Sequence, residues 1–401
     1  MHRNRLPVLL LILSACARPA PPAPTPDAPV AVPPPPPTLV THPTADHTCA
    51  LDAAGRLTCW GRNDAGQLGV HDSATHRALV SAGRRFDMAS VGGRHTCALD
   101  ADGVVYCWGA NQRGQLGDGD TLARATPAPI ASERRFARIS AGAEHTCALD
   151  AAGRAYCWGD NRGGQLGTGS RASTSSPVAV ATEATFLRLS AGSRHTCGIS
   201  TDARVLCWGD HFLGQLGRPG DPQSGSPVPV VVPLPDSIVA VSAGHGHSCA
   251  LAASGAAWCW GQNGIGQLGT AAPPGTSAPA RVVGTPPLSE IRVGYHHTCA
   301  VDVEGGAWCW GANAPSQPEP AVTGQLGAAV SWSNLPLRVE ALEVAIESVA
   351  AGDGHTCTFD RTGVVSCFGS NRYGQLGRAQ PARSVTPLRV IELPMEDAPA
   401  P

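Results

Sequence analysis

The sequence repeats one unit of about 50 residues seven times, and every copy carries two cysteines. In the first copy, HTCALDAAGRLTCWGRNDAGQLG at residues 47–69, these cysteines stand ten positions apart. The other six copies keep the same separation, and the seven pairs together with Cys16 account for all fifteen cysteines. The pairs are Cys49 and Cys59, Cys97 and Cys107, Cys147 and Cys157, Cys197 and Cys207, Cys249 and Cys259, Cys299 and Cys309, and Cys357 and Cys367. Self-similarity at this period indicates a repeat architecture rather than two or three unrelated domains.

Each unit shows the pattern of several short strands joined by turns. HTCAL and RLTCW are rich in residues that favour strands, and they flank the turn sequence DAAG. Two more strand candidates per unit, such as ATPAPIA and RFARISAG before His145, bring the number to about four. Seven units of about four strands each predict the blades of an all-β propeller.

The repeated sequence motifs resemble those of a known family. The stretch SAGAEHTCALDAAGRAYCWGDNRGGQLG at 140–167 is similar to the RCC1 (regulator of chromosome condensation) repeat, and the resemblance covers residues 39–393. Kelch repeats carry different glycine motifs, and WD40 repeats end in a Trp-Asp that these units lack. The resemblance implies a seven-bladed propeller with four-stranded blades, which we assign to residues 39–394. We expect TLVTH (38–42) and VTPLRVIEL (385–393) to join the hairpin 47–61 in one blade, so that strands from both termini close the ring.

Hairpin register predicts what the cysteine pairs do. A three-residue loop with Gly55 in the left-handed region would place Cys49 directly opposite Cys59. Cross-strand disulfides are therefore expected in all seven units of an exported protein. Buried reduced thiols, redox catalysis, and zinc held by His47 with the two cysteines are the alternatives. Unit four has Ala203 where the other turns have glycine, so its turn should be strained or differently shaped.

The chain begins with a segment typical of export. MHRNR is basic, LPVLLLIL is apolar, and LSAC at 13–16 resembles a bacterial lipobox. We expect a lipoprotein signal peptide at 1–15 and a lipid on Cys16; an ordinary signal peptide is the alternative. Residues 16–38 would then form a proline-rich extended tether, and 395–401 a disordered tail. The expected location is the outer membrane or the cell surface, where lipid chains would anchor the protein.

Composition and motifs argue against several functions. The chain is 15% charged with a net charge of −2, which gives no electrostatic reason for nucleic acid as a partner. It shows no phosphate loop, HExxH or nucleophile elbow, and the repeated aspartates suit Asx turns better than acid–base chemistry. We therefore expect no enzyme activity, no cofactor and no metal, and a monomer.

The histidine of each HT should be a hydrogen-bonding residue near the channel, and the tryptophan of CWG should lie in the core between blades.

The positions that change from copy to copy are the candidates for recognition. Because hairpin strands are antiparallel, the residue pairs before HT and before GQLG lie on one rim, opposite the DxxG turns. Aromatic and arginine side chains there are typical of binding hot spots, although they could simply fill loops. Unit six carries two insertions, at 314–323 before GQLG and at 328–336 after it, and Trp332 in the second is a further candidate. The candidate rim residues are Arg94, Arg113, Glu144, Arg162, Arg194, Phe212, His245, Tyr295, His296, Trp332, Asp353, Arg372 and Tyr373.

These features favour a tethered propeller that binds a protein or a glycan through one rim. The alternative is an exported polysaccharide hydrolase or lyase built on a propeller. The family resemblance itself implies different activities in different compartments. RCC1 is a nuclear exchange factor for a small GTPase, whereas a secreted bacterial member inhibits β-lactamases. The exchange activity depends on features outside the shared repeat motifs, and an exported lipoprotein would not meet that GTPase. The inhibitor is an example of the class, because its contact residues are not matched in this sequence.

Overall fold

A computed structural model describes residues 37–72, 77–80, 84–218, 225–270, 275–313 and 323–394. The expected signal peptide, Cys16, nearly all of the tether, residues 314–322 of the insertion at 314–323, and the tail 395–401 lie outside these ranges. Within them, none of the chain forms a helix long and apolar enough to cross a membrane.

The described residues form seven antiparallel sheets of four strands, one for each unit. Blade 1 contains β1 (Thr38–Thr41), β2 (His47–Leu51), β3 (Leu57–Gly61) and β4 (Arg77–Leu79). Blade 2 contains β5 (Met88–Val91), β6 (His95–Leu99), β7 (Val105–Gly109) and β8 (Arg124–Pro129). Blade 3 contains β9 (Arg138–Ala141), β10 (His145–Leu149), β11 (Ala155–Gly159) and β12 (Thr174–Ala179). Blade 4 contains β13 (Phe186–Ala191), β14 (His195–Ser200), β15 (Val205–Gly209) and β16 (Ser226–Val231).

The remaining three sheets follow the same order. Blade 5 contains β17 (Ile238–Ala243), β18 (His247–Ala252), β19 (Ala257–Gly261) and β20 (Thr276–Arg281). Blade 6 contains β21 (Leu288–Val293), β22 (His297–Asp302), β23 (Ala307–Ala312) and β24 (Trp332–Arg338). Blade 7 contains β25 (Ile346–Ala351), β26 (His355–Asp360), β27 (Val364–Ser370) and β28 (Arg383–Glu392). The prediction of a seven-bladed all-β propeller with four-stranded blades is confirmed.

The predicted closure of the ring is wrong. β1 pairs with β2 in blade 1, but β28, which carries residues 385–392, pairs with β27 in blade 7. Leu393 also stays there, since its N–H donates to the Gly363 carbonyl at 2.8 Å. Every blade is therefore one continuous stretch of chain. The closing sheet needs no strand from the other terminus, because 383–392 pairs with the hairpin that precedes it.

The ring closes instead through side chains that repeat at every blade junction. The HT histidine of each blade places Nε2 2.7–3.0 Å from the hydroxyl of the HT threonine, or serine in blade 5, of the next blade. Blade 7 joins blade 1 in the same way, through His355 and Thr48 at 2.7 Å. At that junction Leu39, Ala50 and Trp60 of blade 1 share a buried cluster with blade 7.

A glutamine carbonyl adds to this contact between the histidine and the hydroxyl at each blade junction, and the whole arrangement is called a latch below. The backbone oxygen of the GQLG glutamine accepts the tryptophan Nε1–H of the next blade at 2.9–3.1 Å at six junctions. At six junctions it also accepts the hydroxyl of the next blade at 2.8–3.1 Å. Since the hydroxyl donates there, the histidine must donate its Nε2 proton to it. HT, CWG and GQLG are therefore three parts of one contact between blades, and both expected roles of the histidine and the tryptophan are confirmed.

The cysteine pairs lie where the register places them. Each first cysteine stands opposite the second in its hairpin, and all seven pairs are joined as disulfides with Cα atoms 4.1 Å apart. Asp52 and Arg56, three pairs closer to the turn, are hydrogen-bonded, so Cys49 and Cys59 occupy a non-hydrogen-bonded pair. Opposed Cα atoms come closest at such pairs, which brings the sulfurs within bonding reach.

Ala203 adopts the left-handed conformation that glycine adopts in the other turns. Its φ is 63°, and it is the one non-glycine residue with positive φ among the residues described. Of the two expected outcomes, the turn thus keeps its shape and carries the strain. A left-handed alanine costs about 1 kcal/mol relative to glycine.

We expect Ala203→Gly to raise the free energy of unfolding by about 1 kcal/mol, measured by denaturant unfolding. Ala152→Gly is the matched control: it lies in the same turn of blade 3 without a positive φ. That variant should lower stability slightly, because added glycine only increases the freedom of the unfolded chain. Equal effects from both substitutions would argue against strain at Ala203.

Candidate partner-binding rim

The variable residue pairs stand on rigid loops at one end of the propeller. In blade 1 the Asn63 Oδ1 accepts the Leu68 N–H at 2.9 Å, and the Gln67 Oε1 accepts the Ala65 N–H at 2.8 Å. Equivalent bonds recur in the other loops, for example from Leu166 to Asn161 and from Gly163 to Gln165. The repeated Asn and Gln thus fix the loop backbone. The two variable residues between them can change without altering the frame that presents them.

Across blades 1 to 4 the rim is charged, and its charges are paired within the molecule. Arg94 binds Asp64 of the preceding blade at 2.9 Å, and Arg194 binds Asp210 at 3.3 Å. Glu144 lies between two arginines, 3.6 Å from Arg113 and 3.1 Å from Arg162, which also binds Asp160 at 2.7 Å. These arginines are about half exposed, so each pair contributes little to stability. Two of these contacts, Arg94 with Asp64 and Arg113 with Glu144, join the loops of neighbouring blades.

Blades 5 and 6 present an aromatic cluster at the same level of the rim. The ring of His245 stacks on that of Tyr295 with centroids 4.0 Å apart, and His296 meets Tyr295 edge-on at 4.5 Å. Burial, followed by the nearby Arg194, lowers the pKa of His245, and burial lowers the pKa of His296 to about 4. Burial also raises the pKa of Tyr295. The cluster is therefore uncharged at neutral pH.

An apolar pair from blade 4 lies beside this cluster. The Phe212 side chain is 65% exposed, and Leu213 is half-buried. A cleft of about 430 Å³ is lined by both residues together with Arg194, Asp210 and His245. Gly246 has a specific reason to be glycine, because a Cβ there would lie 2.5 Å from Leu213 Cδ1. Phe212, Leu213 and the cluster of His245, Tyr295 and His296 are called the aromatic patch below.

A second cleft, of about 950 Å³, opens where blade 7 meets blade 1. Asp353, Arg372 and Tyr373 line it, together with Arg62 and Arg383. The Arg62 guanidinium lies 4.7 Å from the Tyr373 ring centroid, and that of Arg372 lies 5.4 Å from it. The Tyr373 ring thus makes a cation–π contact with each of the two guanidinium groups, and each contact is stabilising.

Asp46 and Asp64 hold Arg62 in this cleft. The Arg62 guanidinium lies 2.6 Å from Asp64 and 3.4 Å from Asp46. Burial raises the pKa of Asp46. For Asp64, bonds from Arg62 and Arg94 outweigh the effect of burial and lower the pKa to about 2. The sequence prediction missed Arg62 and Asp46, although Ala45-Asp46 precedes HT in unit one as the other variable pairs do.

Trp332 lies apart from the other candidates. It begins β24, the outermost strand of blade 6, opposite Ala312 in the register. Its side chain is 56% exposed at the circumference, and it does not line the cleft formed by Phe212, Leu213 and His245. The sequence predicted an insertion at 328–336, and the structure shows that 332–336 is instead part of the fourth strand of the blade.

Solved structures define the class of this fold. The chain superposes on Prp20p from Saccharomyces cerevisiae with a TM-score of 0.72 at 22% identity, covering 84% of this chain and 85% of that one. A chain in the crystal structure of Kap60 bound to yeast RCC1 (Prp20) gives 0.70 at 22% identity, covering 84% and 83%. Human WBSCR16 gives 0.72 at 18% identity, covering 84% and 94%. The protein is an RCC1-like propeller.

The sequence itself places the chain in that family. One model described as the regulator of chromosome condensation (RCC1) repeat matches residues 102–149, 152–199, 202–251 and 254–301. A second model with the same description matches 45–67, 136–165, 187–215, 238–267 and 346–375. Together they match more than half of the chain, which belongs to the RCC1 repeat family.

A curated relative matches only in part. A stretch of 142 residues is 32% identical to the human probable E3 ubiquitin-protein ligase HERC6. It covers 35% of this chain and 14% of that protein, so the match spans a small fraction of the relative's length.

Proposed function

We propose that this protein is a membrane-tethered, extracytoplasmic interaction scaffold that binds a protein partner through the aromatic patch. The observation that carries the proposal is the contrast around one rim. The charged side chains of blades 1 to 4 are paired with each other, whereas blades 4 to 6 present Phe212 and the stacked rings of His245 and Tyr295. Phe212 is exposed and the rings of His245 and Tyr295 are half-buried, and aromatic side chains on surface loops are typical of protein-binding hot spots.

Two further considerations support a protein as the ligand. Prp20p, which is similar in fold, has binding properties toward Gsp1p and histones, and the similar yeast RCC1 (Prp20) is bound by Kap60 in a crystal structure. Those partners belong to the yeast protein, and only the idea of protein recognition is transferred here. Surface composition agrees, since the patch is uncharged at its centre and bordered by Arg194 and Asp210, as interface cores with polar rims are.

The test is to capture partners with the full-length protein and compare rim variants. We expect Phe212→Ala with Tyr295→Ala to weaken binding of a captured partner at least tenfold, since hot-spot truncations cost about 2 kcal/mol each. Val303→Ala is the matched control, because Val303 is a 58% exposed apolar residue in the opposite, DxxG-turn face. Cross-links from the partner should map to blades 4 to 6. Equal loss from both variants, or cross-links only at the DxxG face, would contradict the proposal.

Tethering is tested separately through Cys16. We expect radioactive fatty acid to label the protein, and Cys16→Ser to abolish labelling and release the propeller from membranes. Ser14→Ala changes a neighbouring residue without removing the thiol and should leave labelling intact. Labelling that persists in the Cys16 variant would refute the anchor while leaving the rim proposal in place.

A further inference from the structure

The centre of the propeller contains a cavity of about 240 Å³ lined by the innermost strands of the blades. At its rim end the cavity is closed by His42 and Pro43, both buried, which extend from the loop after β1. The His42 side chain reaches across the ring to the backbone of Ala191 and Gly192 in blade 4. In the other blades this loop is two residues shorter, so among the described residues blade 1 alone closes the cavity in this way. The cavity is therefore approached from the DxxG-turn face.

Three arginines line this cavity at positions where the repeat changes. Arg138 pairs with Leu149 and Arg188 pairs with Ile199, which are equivalent positions at the DxxG-turn end of blades 3 and 4. The other blades fill this position with uncharged residues or, in blade 6, with Glu290. Arg292 stands one level further in, opposite Cys299, where blades 2 to 5 carry serine.

The positive charge of this group exceeds the negative charge that faces it. Glu290 binds Arg292 at 2.6 Å and also accepts the Val349 N–H at 2.8 Å and the Ser348 hydroxyl at 3.2 Å. In the described part of the chain, no carboxylate lies within ion-pair distance of Arg138 or Arg188. Burial together with repulsion from Arg138 and Arg292 lowers the pKa of Arg188. Arg138 and Arg188 thus repel each other, and neither has an anionic partner among the described residues.

We propose that this end of the channel binds a small polyvalent oxyanion, carrying phosphate or carboxylate groups, between Arg138 and Arg188. Guanidinium groups bind both kinds of oxyanion through paired N–H donors. The Ser140 and Ser190 hydroxyl oxygens accept the N–H groups of Ala191 and Ala243 at 2.9 Å, so their protons can be donated to the anion. The cavity has room for about eight water molecules, which suits a ligand the size of pyrophosphate or citrate.

This site differs from the proposed rim in both place and ligand. It lies on the far side of the His42–Pro43 plug from the aromatic patch, and it would bind by charge rather than by apolar contact. Loss of the anion site would therefore leave partner capture by the rim unaffected, and the two proposals can fail separately.

Calorimetric titration of the full-length protein with pyrophosphate and with citrate tests the proposal. We expect one site per chain, with affinity that falls as salt concentration rises. Arg138→Gln and Arg188→Gln should each weaken binding at least tenfold, and the double variant should abolish it. Arg361→Gln, an exposed arginine in a DxxG-type turn of blade 7 on the same face, should leave affinity unchanged. Preference for one probe would assign the ligand to the phosphate or the carboxylate class.

A second measurement separates binding from folding. In buffer without polyvalent anions, Arg188→Gln should leave the unfolding midpoint unchanged or raise it, because it removes repulsion and breaks no ion pair. Pyrophosphate should raise the midpoint of the wild-type protein and not that of the double variant. The proposal is overturned if neither probe binds at concentrations up to about 10 mM. A dissociation constant of about 10 mM corresponds to a binding free energy of about −3 kcal/mol. Binding that persists in the double variant would overturn it equally.

Discussion

Reducing all seven disulfides is expected to lower the free energy of unfolding by on the order of 15 kcal/mol. Each bond closes a loop of ten residues, and in the chain-entropy model such a loop contributes about 2–3 kcal/mol. The sum is as large as the whole stability of a typical protein. The reduced chain should therefore unfold at very low denaturant, although its thiols remain small apolar groups that suit the core.

Guanidinium unfolding with and without reductant, followed by tryptophan fluorescence, measures this effect. The double variant Cys97→Ala with Cys107→Ala removes one bond and should cost about 2–3 kcal/mol. Intact mass without reductant must first show that all fourteen cysteines other than Cys16 are oxidised. If the fully reduced protein unfolded at nearly the same denaturant concentration, the disulfides would be incidental to stability.

The features that the sequence predicted well are those encoded locally and repeated. The constant separation of ten residues determines hairpin register, so the opposition of Cys49 and Cys59 could be predicted from a turn of known length. The same reasoning placed the variable pairs on one rim. Repetition also exposed exceptions, since Ala203 stands out against glycine in the other turns. Each of these inferences needed only the geometry of one hairpin.

The features that were missed depend on how blades meet. Arg94 and Asp64 are 30 residues apart in sequence but 2.9 Å apart on the rim, and no pattern within one unit pairs them. Arg138 and Arg188 were not singled out, because they lie in neighbouring blades and line one cavity only once the ring has formed. Ring closure was misjudged for the same reason. A latch of His355 with Thr48 joins the ends, and this latch is visible only once seven equivalent junctions are seen.

Because the latches depend on neutral histidines, we expect the free energy of unfolding to fall sharply between pH 7 and 5.5. All seven HT histidines are completely buried, and each Nδ1 lies in the interior without a hydrogen-bond partner among the described residues. Burial lowers their pKa values, to about 3 for His47, His95, His195 and His297 and to about 4 for His355. Burial lowers the pKa values of His145 and His247 well below the ordinary range as well.

The sign of the effect follows from proton binding. In the unfolded chain these histidines regain a pKa near 6.5, so below that pH the unfolded state binds more protons than the folded state. The stability that neutral histidines provide is complete above pH 6.5 and is lost as pH falls toward their folded values of about 3 to 4. Between pH 7 and 5.5 each histidine should lower the free energy of unfolding by about 1.3 kcal/mol, so the seven together should lower it by about 9 kcal/mol.

Denaturant unfolding at pH 7.0, 6.0 and 5.5 would measure this loss. His95→Gln is the informative variant, because a glutamine amide can still donate to Thr146 but cannot take up a proton. It should reduce the loss of stability between pH 7 and 5.5 by about 1.3 kcal/mol, whatever it does to stability at pH 7. His71→Gln, at an exposed histidine outside the ring, is the control and should leave the dependence unchanged. A wild-type protein equally stable at pH 7.0 and 5.5 would show that protonation is accommodated inside the ring. The neutral Nε2–H form of the histidines could then not be what holds neighbouring blades together.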